Sequence, residues 1–399
     1  MPVTDNLTNR TWFGMARLAG GEIELTGALH DWDGSQDNAM VLVMDESGPT
    51  EWILLEPDEV SPAGVHARLG QGFIKGSTPE GMTTPEGDLT IAICTKDRPQ
   101  HLEACLRSLL GTPNQGYPVV VIDNAPRNDD NLRVVERLRD DGLDVRRLVE
   151  PIPGVSRGRN LGLREIETEF IVWTDDDTRP DPQWASRMHQ GFSAGERVGI
   201  VTGLVPPGEL ETIYQSLFES RIRWSTNLNF EVFSMEKRDQ YEWAFPYSVG
   251  HFGTGANFAV RRVDALSIGG MDTALGGGTR ASAGEDGEFF VRMLRAGYEL
   301  VYQPAGVVWH IHRRDEAGYK KSLYEYGKGL TAALMSEIFE PGRMDMLKGQ
   351  LEGARSLGEG RREQQKMGTD LKYQLIELKG VLAGPFAYLA ERFLGARRP

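Results

Sequence analysis

Three adjacent carboxylates, Asp175, Asp176 and Asp177, follow directly on the apolar run Phe170, Ile171, Val172, Trp173. Such a run reads as a buried strand, and Pro180 and Pro182 prevent a helix from continuing it. Carboxylates packed this closely repel one another unless solvent or a cation neutralises them. Oxygen-liganded Mg2+ or Mn2+ suits the arrangement, because one or two carboxylates plus substrate phosphates complete its shell. A solvated turn is the plainer reading in a chain with 58 acidic residues among 399. The rest of the chain has to decide between them.

Other residues fall into the same pattern. Asp97 and Asp123 come just after the apolar runs Leu89–Cys94 and Val119–Ile122. Ser156 reads as the N-cap of a helix whose first turns carry Arg157, Arg159 and Asn160, where helix dipole and guanidinium both suit a diphosphate. Glu285 and Asp286 open an amphipathic helix with Phe289, Phe290, Met293 and Leu294 inside, although acids there also simply favour the dipole. His310 and His312 lie two apart in Val301–His312, read as a strand, and so share a face.

The elements that must position these groups alternate from Leu89 onward. Strands at Leu89–Cys94, Val119–Ile122, Val145–Val149 and Phe170–Trp173 are separated by helical stretches at Arg98–Leu110, Asp130–Asp140 and after Ser156. Alternation of this kind predicts a parallel sheet with right-handed crossovers, whose ligands sit beyond the strands' C-terminal ends. Asp97, Asp123 and the acidic triplet all fall at that edge. Residues 1–86 differ: short runs at Thr11–Leu18, Glu22–Leu25, Met40–Met44 and Trp52–Leu55 between turn clusters predict a small β-rich domain without chemistry of its own. Ser77–Asp88, rich in Gly, Pro and Thr, reads as the linker. A strand is expected at Val198–Val205 and a helix at Leu210–Trp224. Residues 319–399 form a helical extension. Its most apolar part, Gly380–Leu394, is broken by Pro385 and followed by Arg397 and Arg398. It is too short to span a bilayer, and reads either as an interfacial segment on an anionic membrane or as a helix packed on the main domain or a second subunit.

Composition is that of a globular protein, with 40% hydrophobic and 26% charged residues. A net charge of −14 argues against a nucleic-acid partner, which requires a basic surface. Two cysteines, Cys94 and Cys105, exclude a disulfide scaffold or a cysteine-rich zinc site. Met1–Arg10 is polar and does not read as a signal peptide. The expected location is cytoplasmic, or peripheral at the inner face of the membrane.

Taken in order, the motifs resemble the family-2 glycosyltransferases, an α/β family with the GT-A fold, built on a Rossmann-like, mostly parallel sheet. The resemblance covers about Leu89 to His312. Ile93-Cys94-Thr95-Lys96-Asp97-Arg98-Pro99 resembles the family's first strand and nucleotide loop, and Val121-Ile122-Asp123-Asn124 its second nucleotide-binding strand end. Gly158-Arg159-Asn160 with Gly162 is similar to its helix start, with Gly158 in place of the usual small residue. Thr174–Asp177 resembles the Asp-x-Asp metal motif, Gly284-Glu285-Asp286 the acidic pair that supplies the base, and Trp309-His310 the later metal-binding histidine.

The resemblance implies that Thr95, Asp97, Arg98, Asp123, Arg157, Arg159, Asn160, Asp175 and Asp176 contact a nucleoside-diphosphate sugar, with a UDP-sugar as donor. It implies that Asp177, Asp175 and His310 hold Mn2+ or Mg2+, with His312 as second choice. Asp286 would take the proton of a hydroxyl acceptor (a glycan, a lipid-linked sugar or a small molecule) and invert the anomeric carbon, with Glu285 positioning acceptor or base. Two other readings are a noncatalytic sugar- or membrane-binding scaffold and a sugar-phosphate nucleotidyltransferase. The second would place a Gly-rich signature after the first strand, whereas Gly277-Gly278-Thr279-Arg280 lies far downstream without the expected lysine.

Overall fold

The computed structural model describes residues 9–222, 224–241, 245–248, 252–339 and 371–395. The first sheet contains β1 (Thr11–Ala19), β2 (Glu22–Gly27), β3 (Asn38–Met44), β4 (Pro49–Leu55) and β5 (Ile74–Lys75), with the short helix α1 (Pro62–Arg68) between the last two. β1 and β3 run parallel while the other pairs in this group are antiparallel.

The alternating region follows: β6 (Leu89–Thr95), α2 (Pro99–Arg107), β7 (Val119–Asn124), α3 (Asp130–Asp140), β8 (Val145–Glu150), α4 (Val155–Glu165) and β9 (Phe170–Asp175). Then come β10 (Thr178–Pro180), α5 (Trp184–Gly191), β11 (Val198–Leu204), β12 (Glu209–Leu210), α6 (Ile213–Ile222), β13 (Glu231–Phe233), β14 (Asn257–Arg261), α7 (Arg262–Ser267), α8 (Glu285–Arg295) and β15 (Glu299–His310). The chain ends in two long helices, α9 (Glu316–Glu337) and α10 (Leu371–Leu394).

The second sheet has the order β10-β15-β11-β14-β9-β6-β7-β8, with β13 also on β15. β6, β7, β8, β9, β11 and β15 point one way, and β10, β13 and β14 run against them. The strands are apolar without alternation because both faces are covered. Ile91, Ile93, Val119, Val121, Phe170 and Val172 meet α2, α3 and α5 on one side. Ala92, Cys94, Val120, Ile122, Ile171 and Trp173 meet α4, α7 and α8 on the other. Both cysteines are buried and free, and burial pushes each thiol up to about 12.

The first sheet shares this core. β12, from the second region, pairs with β1, and Trp52 stacks edge-on against Trp309 at 6.4 Å while donating to the Ser225 carbonyl. Phe13, Met15, Met40, Leu42 and Met44 belong to the same buried cluster as Leu204, Ala305 and Val307. The sequence predicts a helix over Leu210–Trp224; Leu210 instead joins Glu209 in β12 at the edge of the first sheet, and α6 is shorter, Ile213–Ile222.

The helical extension also differs in detail from the expectation. α10 runs straight through Pro385. The lost backbone donor is tolerated because the helix is held along its length by α9, where Gly380 and Gly384 allow backbone contact. A Cβ on Gly380 would stand 2.2 Å from the Tyr324 carbonyl, and one on Gly384 would stand 2.3 Å from the Lys328 carbonyl. Tyr373, Glu377, Gly380, Gly384, Tyr388 and Glu391 face inward. Residues 340–370, Arg397 and Arg398, also assigned to the extension, lie outside the described residues. No described helix is long and apolar enough to cross a membrane. Gly380→Val should lower stability by about 1–3 kcal/mol through overpacking, read as a lower thermal midpoint. Leu382→Met, on the outer face, should leave that midpoint unchanged.

Candidate active site

The acidic triplet sits where β9 ends. Thr178 Oγ1 donates to the Asp175 carbonyl at 2.8 Å and closes the turn. β10 then pairs with the end of β15, placing Thr178 opposite His310, and Ile311 N–H donates to the Asp177 carbonyl at 3.0 Å. Strand pairing across more than a hundred residues thus brings His310 Nε2 to 3.5 Å from Asp177 Oδ1.

The three carboxylates face three different surroundings. Asp176 is buried, accepting from Thr95 Oγ1 at 2.7 Å and pairing with Arg98 at 2.6 Å. Arg98 also pairs with Asp177 Oδ2 at 3.0 Å. Asp175 turns the other way, toward Arg159 at 3.3 Å, and keeps 35% of its side chain exposed. Exclusion of water pushes the Asp175 and Asp176 carboxyls up to about 7, with repulsion from Asp177 adding to it. Asp177 goes down instead: burial, which would raise it, is outweighed by its neighbours His310 and Arg98, the latter also donating to it. Since burial drives His310 itself down to about 4, its ring is neutral near pH 7, and Arg98 supplies the charge that keeps Asp177 ionised.

Arg159 lies on α4, only 2% exposed, and binds the two halves of the site together. Besides Asp175 it donates to Glu285 Oε1 at 3.1 Å and to the Gly255 carbonyl at 2.9 Å, with its guanidinium over the Phe258 ring. Glu285 is pushed up to about 7 by burial and by its neighbour Asp286. Asp286 accepts from the amides of Gly255 at 2.6 Å and Gly287 at 2.8 Å, so backbone donors on opposite sides fix its carboxylate. Before it, Gly284 takes φ +90°, and a Cβ there would stand 2.4 Å from the Gly329 carbonyl of α9. Only glycine fits there.

The remaining candidates lie further out or are otherwise engaged. Asp123 is fully buried, held by Asn131 at 2.8 Å and by Arg147 at 2.7 Å. Asp97, at φ +52°, accepts from Arg127 N–H and ties the loop after β6 to the loop after β7. Asn160 does not reach into the site: both ends of its amide clamp the Met271 backbone, at 2.8 Å each. Ser156 is not the cap of α4; it lies inside the helix and donates to the Leu275 carbonyl, while Gly154 precedes the helix. The first amide of α4, on Val155, donates to the Gly277 carbonyl, so the Gly-rich loop occupies the helix end where a diphosphate was expected. Arg157, two residues from Arg159 and so about 200° around the helix, is half-buried away from it.

His312 is no second ligand. β15 stops at His310, and His312 lies beyond it with Nδ1 at 2.8 Å from His310 Nδ1 and Nε2 at 3.0 Å from Glu219 Oε2. A Glu219 carboxylate accepts, so His312 Nε2 carries the hydrogen. His310 Nδ1 is thus engaged by His312, which leaves its Nε2 pointing at Asp177. Asp177 Oδ1 and His310 Nε2 face each other across 3.5 Å. Among the described residues no three Asp, Glu, His or Cys side chains gather to hold an ion unaided, and Asp175 faces Arg159. The donor set therefore fits a divalent ion that takes one carboxylate, one imidazole and further oxygens from a bound phosphate. Glu219, from α6, had no signal in the sequence, since only the fold brings it to His312.

Beside this network opens a cavity of 520 Å³ lined by Trp224, Phe233, Tyr241, Phe252 and Thr254, among others. Trp224 presents its ring edge-on to His310 at 5.8 Å, and Thr254 directly precedes the Gly255 that binds both Arg159 and Asp286.

Residues 90–266 match the family model described as Glycosyl transferase family 2. The chain is 25% identical over 267 residues to a pre-mycofactocin glycosyltransferase of Mycobacterium tuberculosis, covering 64% of this chain and 49% of that protein. It is 25% identical over 264 residues to the succinoglycan biosynthesis protein ExoM of Rhizobium meliloti, covering 61% of this chain and 78% of that one. The chain spans about half the length of the mycobacterial relative. Among solved structures, the mannosyltransferase PcManGT from Pyrobaculum calidifontis, in complex with GDP-Man and Mn2+, superposes with a TM-score of 0.50 at 16% identity, over 81% of this chain and 92% of that one. At that identity the likeness is one of fold, the GT-A fold.

Arg159→Met should cost about 3–5 kcal/mol by leaving buried carboxylates unpaired. Removing the guanidinium raises Glu285 further above its unfolded value, and a carboxyl raised in the folded state stabilises on the acid side. Denaturant unfolding should therefore show a smaller deficit at pH 5 than at pH 8.

Proposed function

We propose that this chain, whose residues 90–266 match the model of glycosyl transferase family 2, moves a sugar from a nucleoside-diphosphate sugar to a hydroxyl acceptor with inversion at the anomeric carbon. The observation that carries the reading is Asp177 Oδ1 facing His310 Nε2 at 3.5 Å, in the same acidic turn whose Asp175 pairs with Arg159, together with the fixed Asp286 carboxylate, which shares Gly255 with that guanidinium. A cation slot and a proton acceptor linked through one guanidinium suit a leaving diphosphate and an incoming hydroxyl.

In this mechanism Asp177 and His310 would hold Mn2+ together with the donor's phosphates. The mixed oxygen and nitrogen set suits Mn2+, and PcManGT was solved with that ion. The bound ion would stabilise charge growing on the leaving diphosphate. Arg98 and Arg159 keep the surrounding carboxylates paired, so that the phosphates do not meet uncompensated charge. Asp286, oriented by the Gly255 and Gly287 amides, takes the acceptor's proton as its oxygen attacks the anomeric carbon. The carbon–phosphate-oxygen bond breaks on the opposite face, and its electron pair leaves with the diphosphate. Glu285, held by Arg159, positions rather than reacts. The aromatic cavity beside Gly255 is the proposed seat of the acceptor, because sugar rings present apolar faces that stack on Trp and Tyr side chains. The two relatives, named for mycofactocin and succinoglycan work, support a glycan or small-molecule acceptor in glycoconjugate synthesis.

Asp286→Asn keeps the size of the side chain and removes its capacity to take a proton. Transfer, followed with a panel of UDP- and GDP-sugars, should fall about a hundred- to ten-thousand-fold, with nucleotide affinity nearly unchanged. Near-normal turnover would leave Glu285 as base. Asp177→Ala should abolish Mn2+-dependent nucleotide binding in calorimetry while the thermal midpoint holds. Wild-type protein that takes up neither Mn2+ nor nucleotide would favour the noncatalytic scaffold.

A further inference from the structure

We propose that the outward face of α10 is a lipid-binding surface that lays this chain on an anionic membrane, a reading independent of the chemistry assigned to the site. Fourteen large hydrophobic side chains are exposed among the described residues, and seven of them belong to this one helix: Leu371, Leu375, Leu378, Leu382, Phe386, Phe393 and Leu394. At 100° per residue all but Leu394 fall within about 80° of arc, a stripe about 33 Å long. Phe386 is 75% exposed and Leu382 64%, far beyond what a solvated helix needs to present.

Charge selects the occupant. The helix has two acids, and both are turned inward: Glu377 pairs with Arg221 and Glu391 with Arg280. The outward side carries the apolar stripe with Lys372 and Lys379 along one edge and Arg392 along the other. Lys372 reaches back to Glu316, and Arg392 to Tyr388 and, at 4.0 Å, to Asp272. In a chain of net charge −14, an apolar face edged by cations and free of carboxylates matches a surface of anionic lipid headgroups. A second copy meeting the same stripe would set its edge cations against like cations, with both acids of the helix itself turned inward. The inner face is already docked on α9, so the helix lies flat in the headgroup region instead of inserting across it.

The test is flotation of the full-length chain with vesicles of phosphatidylcholine alone or with phosphatidylglycerol added. The chain should float with the anionic vesicles, less so in high salt, and the pair Leu382→Glu, Phe386→Glu should reduce this by about tenfold or more. The pair's thermal midpoint reports whether it folds. Independently of that variant, Leu382→Cys carrying an environment-sensitive dye should shift its emission to the blue on adding anionic vesicles; the two native cysteines are buried and stay unlabelled. Failure of the wild-type chain to float, an unshifted dye, or equal flotation of the paired variant would overturn the proposal. So would a concentration-dependent dimer abolished by the pair, which would assign the stripe to a second copy.

Discussion

A buried guanidinium is the constraint on which the site rests. Arg159 enters from α4, which lies against the sheet because Gly158 and Gly162 leave room for Ile122 and Trp173. From there it reaches Asp175 at the end of β9, Glu285 at the start of α8, and the carbonyl of Gly255 before β14. Three segments far apart in sequence converge on one planar group with five donors in fixed directions. A carboxylate buried without such a partner would simply take up a proton. With it, the attraction of the guanidinium opposes the upward push of burial at both Asp175 and Glu285.

Arg98 plays a similar part on the opposite side, but by a different route. It starts at the first loop of the sheet and lies across Asp176 and Asp177, while Thr95, the last residue of β6, fixes Asp176. The outcome is a division of labour among three neighbouring carboxylates that share a turn. Asp175 belongs to the guanidinium of α4, Asp176 to the loop after β6, and Asp177 to the histidine at the end of β15. Further out, Glu219 and His312 hold His310 by its Nδ1 and so aim its Nε2 at Asp177, a control exerted through hydrogen bonds alone.

Much of this was legible in the sequence where burial on both faces leaves a plain mark. The runs at Leu89, Val119 and Phe170 became β6, β7 and β9 because a strand covered by helices on both sides needs no polar alternation. The acids at their ends could be ordered along one sheet edge for the same reason. Less was legible where one side chain has several backbone partners within reach. Asn160 and Ser156 look like ligand and cap by position, yet each is used to hold the loop at 270–277 on α4. The direction of Asp175 was equally hidden, since a turn of three residues frees each side chain to point a different way. The first sheet was read as a unit apart. What the sequence could not display is that Glu209 and Leu210 return as a strand to its edge, and that Trp52 and Trp309 meet.

The glycines between α9 and α10 have a consequence for how this chain can vary. At Gly380 and Gly384 the two backbones touch, which fixes the rotational phase of α10 as a key fixes a shaft. Substitutions on the outer face leave that phase alone, so its side chains are free to drift within their character. A single inserted residue between Gly380 and Gly384 behaves otherwise. It would turn everything beyond it by about 100°, carrying Tyr388 and Glu391 away from Asp272 and Arg280. The helix should therefore tolerate exchange of residues along its stripe and resist any change in its length near the seam.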